Sequence, residues 1–301
     1  MTSPTRIAEA NGISIAYETI GNPSNPPVLL VMGLGGQMIA WPDELCEALV
    51  VRRVHVIRFD NRDVGLSTHF SKVPIPSPVG ALVGAGSPPY RIADMADDAA
   101  GLLDALGIES AHVVGASMGG FIAQTLALRH PTRVRSLTLI MTSTGSRLVG
   151  LPKPKVLARM ARRRTVVDRA SAVDALVETF RLIGSPGYPF DESAMRDLGA
   201  RSFDRSFDPG GYLRQMAAIS AQQNRTRALF QVRVPTVVLH GLDDPLVGVS
   251  GGLAVARAIR GSRFVGFPGM GHDLPRALWP QFTAEIHDVI AAGEAQRASG
   301  R

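Results

Sequence analysis

A mostly parallel β-sheet with helices on both faces and a helical insertion is the fold class this sequence predicts, on three observations. Short apolar, β-branched runs alternate with longer amphipathic stretches at both ends of the chain. That alternation fails between about residues 145 and 229. One strand candidate also runs through a glycine-flanked serine straight into a helix candidate.

The strand candidates are 14–20, 28–32, 54–60, 111–115, 136–142, 236–240 and 263–267, each short enough and apolar enough to lie buried in a parallel sheet. Between them, 43–50, 92–106, 118–130, 252–259 and 279–291 carry helical periodicity. The middle of the chain has helical patterning without apolar β-branched runs, so it reads as an insertion over the sheet. Residues 71–90 hold Pro74, Pro76, Pro78, Pro88 and Pro89 with several glycines, which argues for irregular structure and poses the question of a lid. Residues 294–301 are small and polar and are expected to fray.

Composition narrows the class further. Of 301 residues, 45% are hydrophobic and 19% charged, a globular balance that excludes a disordered or collagen-like chain. The single cysteine, Cys46, has no partner for a disulfide and no Cys/His neighbours at metal-ligand spacing, so packing is its expected role. No signal-peptide pattern opens the chain and no apolar run reaches the ~18 residues of a membrane span; a cytoplasmic or peripherally membrane-attached protein is expected. The net charge is +6, and the basic excess is local: Arg147, Lys153, Lys155, Arg159, Arg162, Arg163, Arg164 and Arg169 face one acid, Asp168. This patch, Arg159, Arg162, Arg163 and Arg164 above all, suits an anionic membrane surface, against the plainer reading of a solvated helix face. Nucleic-acid binding would rest on the basic balance alone, without a recognisable reading element.

The segment Ala111-His112-Val113-Val114-Gly115-Ala116-Ser117-Met118-Gly119-Gly120 places Gly-x-Ser-x-Gly between a strand and a helix. A serine there sits on a sharp turn, with small neighbours that let the backbones approach and project Oγ outward, at a helix N-terminus that favours developing negative charge. In this context Ser117 reads as a nucleophile, and the N–H of Met118 as one donor to an oxyanion.

From that motif outward the chain resembles the α/β-hydrolase family over essentially its whole length. The resemblance implies the α/β-hydrolase fold, with residues 1–145 and 230–301 as the core and 146–229 as a helical cap. It implies the chain order serine, acid, histidine. In Phe267-Pro268-Gly269-Met270-Gly271-His272-Asp273, His272 stands where the family puts its base, on a loop after the last strand. In His240-Gly241-Leu242-Asp243-Asp244-Pro245 the resemblance favours Asp244 as the acid, with Asp243 the competing candidate and a turn-stabilising role its alternative. The loop Gly33-Leu34-Gly35-Gly36 is implied to supply the second oxyanion donor through the N–H of Leu34, although Met32 stands where many relatives carry histidine. The run 56–67, with Asp60, Arg62, Asp63 and Ser67, reads as an ion-paired turn holding loops near the site.

Residues 31–43 and 59–63 are similar to mycobacterial LipG-type esterases and lipases and, more distantly, to anthracycline methylesterases. The resemblance implies a cofactor-independent, metal-independent serine hydrolase of carboxylic esters, with lipid-like or other apolar acyl groups and with phospholipids and thioesters open. Apolar residues of the insertion, among them Leu148, Leu151, Val156, Leu157, Met160, Val167 and Val177, are candidates for an acyl pocket, against plain helix packing. The same serine, acid and histidine also serve carbon–carbon bond hydrolysis and cofactor-free perhydrolysis, and the fold also serves non-catalytic lipid or ligand binding.

Overall fold

The computed structural model describes residues 2–77, 80–81, 87–161 and 166–299. Its eight strands are β1 (Arg6–Ala10), β2 (Ile13–Ile20), β3 (Pro27–Val31), β4 (His55–Phe59), β5 (Ala111–Ala116), β6 (Val134–Ile140), β7 (Thr236–Gly241) and β8 (Arg263–Phe267). They form one sheet in the order β1-β2-β4-β3-β5-β6-β7-β8. β1 pairs antiparallel with β2 and β2 with β4; every other pairing is parallel.

The pleat sorts the apolar residues onto two faces. Leu29, Val31, Ile57, Phe59, Val113 and Leu137 pack on one side with helices α2 (Ile92–Ala105), α3 (Met118–Arg129) and α8 (Val249–Ala258). Val28, Leu30, Val56, Val114, Val237 and Leu239 pack on the other with α1 (Asp43–Val50) and α9 (Trp279–Ala298). Strands buried on both faces lose the alternation of a half-exposed sheet, which is why they read as continuous apolar runs.

Two expectations from the sequence are corrected. β1 was not anticipated: Arg-Ile-Ala-Glu-Ala is a partly exposed edge strand without an apolar run, paired to β2 through Asn11-Gly12, both at positive φ (51° and 77°). Asn-Gly is the strongest short-range signal of a two-residue hairpin. The chain end does not fray at Glu294 as expected. α9 continues to Ala298, held by Glu294, which accepts from Arg135 Nη1 and faces His112 Nε2, both at 3.1 Å.

Between β6 and β7 the described residues form α4 (Pro154–Ala161), α5 (Arg169–Ile183), α6 (Glu192–Arg205) and α7 (Pro209–Ser220). Three have aspartate N-caps: Asp168 accepts from Ser171 N, Asp191 from Ala194 N and Asp208 from Gly210 N, each satisfying an orphan donor of the first turn. The acyl-pocket candidates divide. Val156 and Val177 are buried, whereas Leu148 (87% exposed), Val167 (73%), Leu151 (62%) and Leu157 face solvent and line no interior pocket. The side chain of Met160 and residues Arg162, Arg163 and Arg164 lie outside the described residues, as does part of 71–90.

Candidate active site

Every candidate site residue lies just beyond the C-terminal end of a parallel strand: Leu34 after β3, Ser117 after β5, Asp244 after β7 and His272 after β8. Open α/β sheets present their ligand crevices along this edge.

Ser117 has φ 56° and ψ −115°, a left-handed backbone at a residue with a side chain, of a kind that costs about 1–3 kcal/mol and persists only where its surroundings enforce it. The neighbouring glycines provide that enforcement. A Cβ on Gly115 would lie 2.3 Å from the Gly119 carbonyl oxygen, and one on Gly119 would lie 2.0 Å from the Val31 carbonyl oxygen. The turn is tied to β6 by Ser117 N donating to Ile140 O (2.9 Å) and by the Thr142 hydroxyl donating to Ser117 O (2.9 Å).

Ser117 Oγ is 2.9 Å from His272 Nε2, and His272 Nδ1 is 2.7 Å from Asp244 Oδ2. The other carboxylate oxygen, Asp244 Oδ1, accepts from Leu246 N and Val247 N, each at 2.8 Å. With that oxygen occupied, Oδ2 is the one turned to the imidazole. A carboxylate only accepts, so Nδ1 carries the proton and Nε2 presents a lone pair to the serine hydroxyl. The competing aspartate points elsewhere: Asp243 Oδ2 accepts from Gly269 N at 2.8 Å. His240, four residues before Asp244, is fully buried, and burial lowers its basicity, keeping it neutral; it donates from Nε2 to Val247 O (2.8 Å) and so braces the Asp244 loop.

The loop after β3 is a tight turn closed by Gly36 N donating to Gly33 O (3.2 Å). It abuts Ser117: a Cβ on Gly33 would lie 3.2 Å from Ser117 Cβ. Met118 is the first residue of α3, so its N–H has no carbonyl one turn earlier to bond. The backbone before Gly33 is also held, since Asn61 Nδ2 donates to Met32 O at 3.0 Å.

The run 56–67 behaves as an ion-paired turn. Arg62 chelates Asp98 with two bonds of 2.6 Å, and Arg214 of α7 chelates Asp63 at 2.8 and 2.7 Å. Asp60 accepts from Met38 N (2.7 Å), Leu66 N (2.9 Å) and Arg205 Nη1 (2.9 Å). Ser67 donates to Asp60 O at 2.6 Å. Asp63, His69 and Asp208 bring one possible metal-ligand atom each within 4.8 Å of one another, but Arg214 already bonds both carboxylates, to Asp208 at 2.6 Å. Cys46 is buried, which pushes its thiol up to about 12 and suits the packing role.

Sequence reasoning did not find the residues that hold these loops from the insertion. Gln215 of α7 bonds the Gly33–Gly36 turn, Ser202 O of α6 accepts at 2.7 Å from Gln37 in the loop after β3, and Ser185 bonds Asp273 beside the histidine. A glutamine in a mostly apolar helix such as α7, or in a loop, carries no spacing signal for its partner.

Comparison with known proteins accords with this architecture. The alpha/beta hydrolase fold model matches residues 26–275. Rhodomycin D methylesterase DnrP of Streptomyces peucetius is 30% identical over 94% of this chain and 97% of its own length, and DauP of Streptomyces sp. strain C5 is 29% identical over the same shares. The enol-lactonase of Burkholderia xenovorans superposes with a TM-score of 0.71 at 24% identity, covering 95% of this chain and 100% of its own. The chain belongs to the alpha/beta hydrolase fold family.

Proposed function

We propose that the chain is a serine hydrolase of carboxylic esters, working through an acyl-enzyme on Ser117 with His272 as general base and Asp244 as orienting acid. The observation that carries this reading is the hydrogen-bonded series Ser117 Oγ, His272 Nε2, His272 Nδ1, Asp244 Oδ2. His272 takes the Ser117 proton as Oγ attacks the ester carbonyl, and Asp244 stabilises the imidazolium. His272 then returns the proton to the departing alkoxide. In the second step the same imidazole deprotonates water, which releases the carboxylic acid and regenerates Ser117.

The tetrahedral oxyanion is met by the N–H groups of Met118 and Leu34. Within the Gly33–Gly36 turn, Gly36 N donates to Gly33 O and Gly35 N to Gln215 Oε1, and the family resemblance gives the Leu34 N–H the second donor role. Residues 146–229 act as a cap over the core and set the acyl preference. The likeness to methylesterases favours a carboxylic ester with a small alcohol leaving group. Lipid-like acyl chains and thioesters are alternatives that one substrate panel separates.

The test is labelling with a fluorophosphonate followed by peptide mapping. Covalent modification at Ser117, absent in Ser117→Ala, is expected; an unmodified Ser117 under conditions that label a control esterase would overturn the reading. Rates on esters of increasing acyl length, on a phospholipid and on an acyl thioester then rank the substrate classes.

A peripheral membrane contact is the second proposal, favoured by the exposure of Leu148, Leu151 and Leu157 beside exposed Arg147, Lys153 and Lys155. Apolar side chains flanked by cations fit an anionic bilayer surface. Among the described residues no helix is long and apolar enough to cross a membrane. Sedimentation with anionic vesicles is expected to weaken as salt rises, and equal binding to neutral vesicles would refute the electrostatic part.

A further inference from the structure

We infer that Gln215 is a positioning residue for the oxyanion-binding turn, supplied from the helical insertion. The inference deepens the serine-hydrolase reading and rests on it. Gln215 is fully buried on α7, and both ends of its side-chain amide are used. Its Oε1 accepts from Gly35 N at 2.8 Å, and its Nε2 donates to Arg62 O at 2.8 Å. The amide therefore spans from the turn after β3 to the turn after β4.

The second of those turns is itself immobilised. Arg62 chelates Asp98, and Arg214, the residue before Gln215, chelates Asp63. Gln215 transmits that fixed position to Gly35. Gly35 has φ +68°, and a Cβ there would lie 2.9 Å from the Tyr212 ring, so α7 approaches this backbone closely. With Asn61 on the Met32 carbonyl and Gly36 N on the Gly33 carbonyl, the Gly35 bond completes the restraint of the turn. Without it, the Gly35 N–H is released one residue from Leu34, and the peptide plane carrying the Leu34 N–H keeps the Gly33 carbonyl bond but loses the restraint on the plane that follows it. A preorganised donor contributes to a transition state because it needs no reorientation when charge develops. Gln215 touches no reacting atom, and its effect passes through Leu34.

The test compares wild type, Gln215→Met and Gln215→Glu on a simple p-nitrophenyl ester and on a boronic acid that forms a tetrahedral adduct with serine. Methionine keeps the volume and removes both bonds; glutamate keeps an acceptor for Gly35 N and removes the donor to Arg62 O. Gln215→Met is expected to lose about 10- to 30-fold in kcat with KM within about twofold, and boronate affinity should fall in parallel. Gln215→Glu should lie between the two. Amide exchange in the wild type gives a readout independent of how the variants fold: Gly35 N–H should exchange more slowly than Leu34 N–H.

A kcat loss that leaves boronate affinity at the wild-type value would overturn the inference, because a general weakening of the fold does not discriminate the tetrahedral adduct. So would unchanged kcat and boronate affinity in Gln215→Met, or equal exchange at Gly35 and Leu34. A wild-type protein that neither hydrolyses esters nor takes up the fluorophosphonate would remove the underlying serine-hydrolase reading, and this inference with it. Those results are distinct from an active wild type that is indifferent to Gln215.

Discussion

The Ser117 turn and the two loops that face it are held by different means. Ser117 is enforced locally: Gly115, Gly119 and Gly120 lie within three residues of it, and the groups they pack against are adjacent core elements, namely the α3 backbone, Val31 and Thr142. The loops of Leu34 and His272 are held from the insertion. Gln215 bonds Gly35 across 180 positions, and the α5–α6 connection lies along residues 269–273, with Ile183 O accepting from His272 N (2.7 Å) and Gly187 N donating to Gly269 O (2.8 Å). The two glycine pairs are in close contact: a Cβ on Gly271 would lie 2.2 Å from Gly184 O, and one on Gly187 would lie 2.6 Å from Gly269 Cα. The Ser117 turn is thus packed against core elements, while the turns that carry Gly35 and His272 take hydrogen bonds from the chain between β6 and β7.

The largest effect expected is chemical, at the loop after β7. Asp244→Asn should lower kcat by about 10⁴, because an amide cannot stabilise the imidazolium and favours the wrong tautomer of His272. Asp243→Asn, which keeps an oxygen for Gly269 N, should stay within about threefold of wild type. Steady-state kinetics on the pair decides between the two aspartates, and the reverse ranking would break the assignment of the acid.

Next in size is the nucleophile turn. Gly119→Ala would put a methyl group 2.0 Å from the Val31 carbonyl oxygen, which is backbone and cannot step aside. A loss of about 3 kcal/mol in urea unfolding is expected, from overpacking combined with a displaced strand. If the packing of this turn sets the position of Ser117 Oγ, the same substitution also reduces fluorophosphonate labelling per folded molecule. Wild-type stability in this variant would show that the turn is less rigidly enforced than its contacts imply.

How much of this was legible follows from the same division. The Ser117 turn could be read because its glycines and the strand and helix around it are written locally in the chain, whereas Asp244 and His272 were picked out through the order that the family resemblance implies. The edge strand β1 was missed because its residues are half exposed, although Asn11-Gly12 carried the hairpin signal. Asp244 was separated from Asp243 by resemblance, and the structure supplies the physical difference, since one carboxylate meets Gly269 N and the other His272. Gln215, Gln37 and Ser185 were invisible because their partners lie 88 to 180 residues away and a polar side chain does not announce its acceptor.

A third prediction probes the core that supports the elbow without touching it. His112, in β5, is buried against Ser136 Oγ (2.8 Å), and burial is the main cause that pushes it down to about 4. The unfolded chain takes up a proton near 6.5 and the folded chain only near 4, so unfolding gains protons between those values. Stability is therefore full above about pH 6.5 and is lost as pH falls towards 4, by ~2–3 kcal/mol from this group. His112→Gln, which does not titrate, should flatten that part of the pH dependence of urea unfolding. An unchanged slope would assign the acid sensitivity to another group.

The smallest effect expected is the most direct probe of the insertion's hold on His272. The Ser185 hydroxyl donates to the Asp273 carboxylate and accepts from Gly271 N at 2.9 Å, so it joins the α5–α6 connection to the two residues that flank His272. Ser185→Ala leaves the half-buried Asp273 carboxyl, already pushed up by desolvation, with one donor fewer, and frees the Gly271 N–H. The nucleophile and its glycines are untouched. If the insertion aligns the base, kcat should fall about tenfold, equivalent to about 1.4 kcal/mol in the barrier, with KM nearly constant and the loss shared by acylation and deacylation, since His272 serves both. Stopped-flow measurement of the two steps checks this. A loss confined to KM would mean that the connection shapes only the substrate's seat, and it would narrow the contrast between the core-held nucleophile and the insertion-held base to the oxyanion turn alone.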